Sequence, residues 1–170
     1  MKFAGRAYKA IDPQWAISPL SGEGAATTGG RFNPKGMPAL YLSLDPVTAL
    51  NEVAQGFAGR IAPCVMCEYQ LDCDDILDLR DQTTQRQVYA GPDVLGCAWK
   101  LERPAPSQEL AVRLATGKPA IAGIVVPSFA PGAQPSGSNL VLWDWGPGPP
   151  HKVEVFDPTG RLPKNQLSWR

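Results

Sequence analysis

The chain has 170 residues, of which 44% are hydrophobic and 19% are charged, a balance typical of a globular protein and not of a disordered one. Lysines and arginines number 16 and so do aspartates and glutamates, so the zero net charge gives no general attraction to nucleic acid or to an anionic membrane. The length suits one domain, predicted over residues 1–170. The N-terminal residues MKFAGRAYKA contain no apolar signal segment, and no run approaches the roughly 18 residues of a membrane span. We therefore expect a cytoplasmic protein that binds neither nucleic acid nor membrane.

The first part of the chain predicts two strands separated by a long loop. Phe3–Ala10 is the first predicted strand, and it ends before an Asp-Pro pair. The segment Gln14–Thr28 has no sustained period, which favours an ordered or ligand-responsive loop. Leu40–Leu44 alternates strictly, so a strand there places its three leucines on one face and Tyr41 and Ser43 on the other.

A glycine-rich loop precedes this second strand. Gly29 and Gly30 stand directly before Arg31, so the backbone there can adopt positive φ or allow a ligand to approach closely. The sequence Asn33-Pro-Lys-Gly36 fits a type I turn with Pro at its second position.

A helix is predicted to follow the second strand. Asp45 suits the N-cap and Pro46 the first helical position, while Gly56 and Gly59 offer termination signals. The apolar positions that recur at helical spacing are Val47, Leu50, Val53, Ala54 and Phe57. Glu52 lies nearly opposite this stripe, where a solvent-facing glutamate is expected.

The second half of the chain predicts helical pieces between strands. The predicted strands are Cys64–Leu71, Ile76–Leu79, Ala120–Val126, Leu140–Trp143 and Lys152–Phe156, and the predicted helices are Thr84–Ala90, Pro92–Leu101 and Gln108–Thr116, with Ser107 as the last N-cap. Strands at both ends of the chain and a helical middle favour an α+β fold with a mixed or antiparallel sheet and flanking helices.

Several other kinds of site are disfavoured. Cys64 and Cys67 have CxxC spacing, but a strand points the two thiols to opposite faces, so we expect reduced structural cysteines and no metal. The glycines form neither a dinucleotide fingerprint nor a P-loop. His151 is expected to be a surface loop residue, and Trp143 and Trp145 to serve packing.

Several spaced motifs together identify a family resemblance. They are GGRFNPKG at residues 29–36, ALYLS at 39–43, ALNE at 49–52, PLSGEGA at 19–25 and GSNLV at 137–141. In this order they closely resemble the RES domain, found in the toxins of Xre/RES toxin-antitoxin modules. The resemblance implies a fold similar to ADP-ribosyltransferases, NAD+ as the substrate, no metal, and an Xre-type antitoxin partner that neutralises the toxin.

Residue by residue, the resemblance places the family's loop arginine on Arg31, its strand tyrosine on Tyr41, its helix glutamate on Glu52 and its later serine on Ser138. Gly30, beside the arginine, would let the ligand approach the backbone. These residues suit NAD+ cleavage. A carboxylate stabilises positive charge on the ribose, a guanidinium binds pyrophosphate, an aromatic ring stacks on nicotinamide, and a hydroxyl holds a ribose hydroxyl or the carboxamide.

Two questions stay open from the sequence. Many relatives carry an arginine near the end of the first strand, where this chain has Lys9, with Arg6 three residues earlier; lysine lacks the planar bidentate grip of arginine. The acceptor of ADP-ribose is also open between a host protein and water or phosphate. The alternative function is a non-catalytic nucleotide- or protein-binding module, in which Glu52 is only a solvated helix residue.

Overall fold

The fold is built on one seven-stranded sheet. The structure, a computed structural model, describes residues 1–55 and 60–167. The strands are β1 (Phe3–Ile11), β2 (Leu40–Ser43), β3 (Val65–Cys73), β4 (Ile76–Asp78), β5 (Gly123–Pro127), β6 (Ser138–Leu142) and β7 (His151–Val155). They lie in the order β4-β5-β6-β2-β1-β3-β7. Only β4 and β5 run parallel, and the other neighbours are antiparallel, so the sheet is mixed as predicted.

Short helices flank the sheet, which confirms the predicted α+β class. They are a 3₁₀ turn (Pro13–Trp15), α1 (Glu23–Thr28), α2 (Pro46–Ala54), α3 (Gln82–Gln87), α4 (Pro92–Leu95) and α5 (Pro106–Thr116). The 3₁₀ turn and α1 lie in the segment expected to be a loop. The sequence does not predict these helices because the small residues of this segment give no helical period of large apolar side chains. Helix α4 ends at Leu95 and not at Leu101. Within the described ranges no helix combines the length and the apolar character needed to cross a membrane.

The starts of α2 and α5 show one correct prediction and one wrong one. The Asp45 carboxylate accepts the Thr48 backbone N–H at 2.8 Å, which confirms Asp45 as the N-cap of α2. Helix α5 begins a residue earlier than Ser107, with Ala105 at its N-cap and Pro106 in its first turn. Ser107 is therefore inside the helix, where its hydroxyl is free to bond elsewhere.

The two faces of the sheet bury separate apolar clusters, and the alternation of β2 and β6 divides them. Leu40 and Leu42 belong to the first cluster, as the alternating pattern predicts. The second cluster lies on the other face under α3 to α5, and it includes the loop residue Phe32. Tyr41 packs on the second cluster, so it lies on the face away from the strand's leucines.

The predicted apolar stripe of α2 is wrong at Val47, whose exposed fraction is 52%. The residues that α2 buries are Thr48, Ala49 and Ala54. Since α2 packs against β1 and β2, its small side chains allow the close approach and turn Val47 toward solvent. Phe57, with the termination signals Gly56 and Gly59, lies outside the described residues.

The sheet opens between β1 and β2. These strands share one registered pair, Tyr8 with Ser43, whereas β1 pairs with β3 along its whole length. A continued ladder would next join Lys9 to Leu42 and Ala10 to Tyr41, but in the described part of the chain these residues do not pair with each other. The two halves of the sheet therefore diverge at this point.

Most of the cysteines, and also the histidine, are largely shielded from solvent. All four cysteines are free thiols, and Cys67, Cys73 and Cys97 are buried. His151 begins β7 and has a side chain only 12% exposed, between the carboxylates of Asp144 at 3.0 Å and Asp75 at 3.6 Å. The expectation of a surface loop residue is wrong, because pairing with Cys73 draws His151 into the sheet. The described part of the chain contains no group of three or more side chains suited to a metal ion.

Tyr89 ends α3 in an unfavourable backbone conformation. Its φ is 53° and its exposed fraction is 82%. The N–H of Ala90 donates to the Gln85 carbonyl at 2.8 Å, which closes the helix in the manner of a left-handed cap. Glycine is the usual residue at such a position, since a Cβ there is crowded by the backbone.

We predict that Tyr89→Gly raises the free energy of unfolding by about 0.5–1 kcal/mol, because relief of the left-handed strain exceeds the entropy that glycine adds to the unfolded chain. The measurement is the denaturant midpoint. Tyr89→Ala is the matched control, since it removes the ring and keeps the Cβ. An alanine variant as stable as the glycine variant would contradict the strain explanation.

Candidate functional site

A cavity of about 840 Å³ lies where β1 and β2 diverge. Its walls come from β1, β2, β6, α2, the loop 28–32 and the segments 97–101 and 129–131. The volume is in the range of small-molecule sites. Five of the six residues predicted for the site line this cavity: Lys9, Gly30, Arg31, Tyr41 and Glu52.

The Glu52 carboxylate is held in place by neutral hydrogen-bond donors. The Ser128 hydroxyl donates to Oε1 at 2.7 Å, and Asn139 Nδ2 donates to the same oxygen at 2.5 Å. Gln55 Nε2 donates to Oε2 at 2.7 Å. A half-buried carboxylate with three donors differs from a solvated helix glutamate, and its orientation is fixed.

The face that α2 presents to the cavity explains how Glu52 reaches it. Ala49, Glu52 and Val53 line the cavity at spacings of three and four residues, so they share one side of the helix. The helix lies between the core and the cavity, with Thr48 buried and Val47 exposed. The predicted apolar stripe gave the wrong orientation of α2, because the prediction gave more weight to large apolar residues than to small ones.

Ser138, the sixth predicted residue, does not line the cavity. Its side chain is buried, and its hydroxyl donates to the Ser136 carbonyl at 3.3 Å. Asn139 lines the cavity instead, and its Oδ1 accepts a hydrogen bond from the Ser43 hydroxyl at 2.8 Å. Neighbouring residues of a strand face opposite sides, and the pairing of Asn139 with Ser43 fixes which side each takes. The structure therefore places Asn139, and not Ser138, in the wall of the cavity.

Arg31 is fixed by carbonyl groups and an aromatic ring. Its Nη1 donates to the carbonyls of Leu95 at 3.2 Å and Cys97 at 2.8 Å, and its guanidinium lies 4.6 Å from the Phe129 ring centroid. Burial lowers the pKa of Arg31, while nearby Cys97 and Glu52 act in the opposite direction. Among the described residues Nη1 makes all the hydrogen bonds of this guanidinium, so its other donors are available to an anion.

The loop that carries Arg31 is organised by Asn33, whose exposed fraction is 0%. Its Nδ2 donates to the carbonyls of Ala25 and Met37, both at 2.9 Å. Its Oδ1 accepts the Tyr41 hydroxyl at 2.7 Å. The amide thus joins α1, the loop and β2 through one buried, satisfied group.

The turn after Asn33 differs from the predicted type I turn over residues 33–36. The Met37 N–H donates to the Pro34 carbonyl at 3.2 Å, so the turn begins one residue later. Gly36 then occupies its third position with φ of 88°, a conformation that suits glycine. The predicted bond across residues 33–36 is not made, because the Gly36 N–H donates to the Ala26 carbonyl at 2.8 Å and the Asn33 carbonyl accepts the Gly30 N–H at 2.9 Å.

Tyr41 uses its hydroxyl to brace the loop and its ring to line the cavity. Besides donating to Asn33, the hydroxyl accepts the Phe32 N–H at 3.0 Å. Burial raises the pKa of this phenol above its usual value. A Cβ at Gly30 would lie 2.6 Å from the Tyr41 hydroxyl, so this close packing requires glycine. The hydroxyl therefore has a positioning role.

The first turn of α5 holds the same loop by its backbone. The Ser107 hydroxyl donates to the Arg31 carbonyl at 2.6 Å, and Gln108 Nε2 donates to the Gly30 carbonyl at 2.8 Å. Trp143, the residue after β6, donates its Nε1 proton to the Phe32 carbonyl at 2.8 Å. Three successive loop carbonyls are thus engaged, which fixes the base of the Arg31 side chain.

Two lysines, Lys9 and Lys100, also line the cavity, and Lys9 is the one that lies on β1. Burial lowers the pKa of its ammonium group, and the neighbouring Cys67 acts in the opposite direction. Arg6 does not line the cavity; its side chain is 65% exposed and lies 3.7 Å from Glu68. Of the two candidates for the family's first arginine, the geometry favours Lys9. Neither Lys9 nor Arg31 takes part in an ion pair with another described residue.

Comparison with known proteins identifies the family. The family model described as the RES domain matches residues 6–165. A search of curated proteins found no match to this chain. Membership of the RES family is consistent with a toxin that is paired with an antitoxin, and it suggests an NAD+-related enzymatic role at the level of the family. Since the match spans nearly the whole sequence, the chain belongs to the RES domain family.

Proposed function

We propose that this protein is the toxin of a toxin-antitoxin module and that it cleaves NAD+ at the bond between nicotinamide and ribose. The observation that carries the proposal is one cavity that is lined both by the oriented carboxylate of Glu52 and by the cations Arg31, Lys9 and Lys100. The substrate has the matching charges, since its pyrophosphate is anionic and its ribose becomes cationic as the bond breaks.

The cations bind the pyrophosphate in this proposal. The guanidinium of Arg31 keeps unused donors for phosphate oxygens while carbonyls and the Phe129 ring hold its plane. Lys9 adds a point charge from β1, where relatives supply an arginine. Binding an anion here requires no rearrangement of the loop, because Asn33 and Ser107 already fix its backbone.

Glu52 acts on the developing charge of the ribose. As the bond from ribose C1 to nicotinamide breaks, its electron pair leaves with nicotinamide and positive charge spreads over the ring oxygen and C1. Glu52 stabilises that charge, and Ser128 and Asn139 keep its carboxylate oriented. The ring of Tyr41 provides an apolar face for nicotinamide. The acceptor then bonds to C1 and loses its proton.

The acceptor is a host protein side chain, or it is water or phosphate, in which case the result is depletion of NAD+. The proposed partner that restrains the activity is an Xre-type antitoxin, following the family. A non-catalytic nucleotide- or protein-binding module is the competing function, and it differs by releasing no nicotinamide.

Glu52→Gln tests the catalytic assignment. We expect nicotinamide release from NAD+ to fall by at least about 100-fold while the Kd for NAD+ changes little, because the charge acts chiefly on the transition state. The measurements are chromatography of free nicotinamide and calorimetric binding. Glu154→Gln is the matched control, since that carboxylate lies on β7 in a surface pair with Lys152.

The assay includes phosphate and cell lysate, so that every proposed acceptor is available. Wild-type protein that binds NAD+ but releases no nicotinamide under any of these conditions would favour the binding module. A Glu52→Gln variant as active as the control would remove Glu52 from the mechanism.

Arg31→Lys tests whether Arg31 binds the pyrophosphate of NAD+. We expect a Kd for NAD+ about 10- to 100-fold higher, since lysine cannot bond two carbonyls, stack on Phe129 and still contact phosphate. Arg6→Lys is the control and should bind as wild type does, because Arg6 is exposed outside the cavity. Equal Kd values for the two variants would contradict the assigned role of Arg31.

Mass spectrometry of a reaction with lysate identifies the acceptor. Transfer to a host protein predicts an ADP-ribose adduct that depends on Glu52, whereas hydrolysis or phosphorolysis predicts free ADP-ribose or its phosphate. Loss of NAD+ with neither kind of product would contradict cleavage at the nicotinamide bond.

A further inference from the structure

The turn that follows Cys97 extends the cavity beyond the residues discussed so far. The Cys97 carbonyl accepts Arg31 Nη1 at 2.8 Å, so this segment is tied directly to the site's guanidinium. The Leu101 N–H then donates to the Ala98 carbonyl at 2.7 Å, and the Ala98 N–H donates to Glu102 Oε1 at 2.9 Å. The turn is therefore braced at its base and is fixed relative to Arg31.

Two large apolar residues on this turn line the cavity without being buried by the protein. Leu101 is 86% exposed, and Trp99 is half-buried with Lys100 Nζ 5.5 Å from its ring centroid. Contiguous apolar surface at the edge of a cavity is typical of a ligand contact. An indole offers a planar face to a planar ligand.

Arg31 connects the residues assigned to the nicotinamide ribose with the turn. Glu52, Tyr41 and Arg31 line the same cavity, and Arg31 Nη1 donates to the carbonyl of Cys97, from which the chain continues into the turn. A dinucleotide such as NAD+ likewise places its pyrophosphate between nicotinamide ribose and adenosine. Trp99, which is only half-buried and lines the cavity on this turn, offers an aromatic face for the adenine ring.

We infer that Trp99, with Leu101 at its edge, is the platform on which the adenine of the dinucleotide stacks. This inference rests on the proposed function and adds the residue that separates dinucleotides from nicotinamide mononucleotide. Stacking on an aromatic face depends little on which base is stacked. Trp99 therefore favours ligands that carry a second base, without distinguishing between bases by their hydrogen-bonding groups.

The test compares NAD+ with nicotinamide mononucleotide in wild type, Trp99→Ala and Trp99→Phe. We expect Trp99→Ala to raise KM for NAD+ about 5- to 150-fold with little change in kcat, and to leave KM for the mononucleotide unchanged. Trp99→Phe should recover most of the loss, since it keeps an aromatic face. Trp15→Ala is the control, because that tryptophan is 59% exposed outside the cavity.

An equal effect on both substrates, or no effect on either, would overturn the platform. If the wild type releases no nicotinamide, the proposed function fails and calorimetric binding of ADP-ribose decides the inference separately. Weaker ADP-ribose binding in Trp99→Ala, restored in Trp99→Phe, supports the platform, and equal Kd values refute it. Unfolding midpoints of the variants exclude a general loss of structure.

Discussion

The early end of the ladder between β1 and β2 is the constraint on which the cavity depends. Beyond the pair Tyr8 and Ser43 the strands separate, and the positions that would have paired next, Lys9 with Leu42 and Ala10 with Tyr41, line the opening. Each half of the sheet keeps its own partners, since β1 remains paired with β3 and β2 with β6. The opening therefore divides the sheet without leaving either half as an isolated strand.

A second level of organisation makes the opening a defined site. Asn33 satisfies its amide within the fold, and the carbonyls of the arginine loop accept hydrogen bonds from α5 and from Trp143, which follows β6. Such a fully bonded network fixes Arg31 before any ligand arrives, so less ordering accompanies binding. Glu52 is prepared in the same manner, but by neutral donors, which orient the carboxylate without cancelling its charge.

Local signals in the sequence predicted the α+β class, the position of β2 and the Asp45 cap, whereas the resemblance to the RES domain supplied the candidate residues on the loop and on α2. The errors share a physical cause, which is pairing between segments distant in the chain. From the sequence, either Ser138 or Asn139 could face the cavity. Only the pairing of Asn139 with Ser43 decides which of the two does so. Ser107 is a reasonable N-cap by residue type, but its hydroxyl donates to the Arg31 carbonyl instead. Packing against β1 and β2, which periodicity does not reveal, likewise sets the orientation of α2.

The partners that orient Glu52 lie far along the chain, with 76 residues separating it from Ser128 and 87 from Asn139. Arg31 is similarly separated by 66 residues from the carbonyl of Cys97. During synthesis, a ribosome-bound chain that has exposed the whole arginine loop and α2 still lacks the donors that arrange the carboxylate. The arranged carboxylate is therefore completed only late in translation, after the segment that carries Asn139 has left the ribosome.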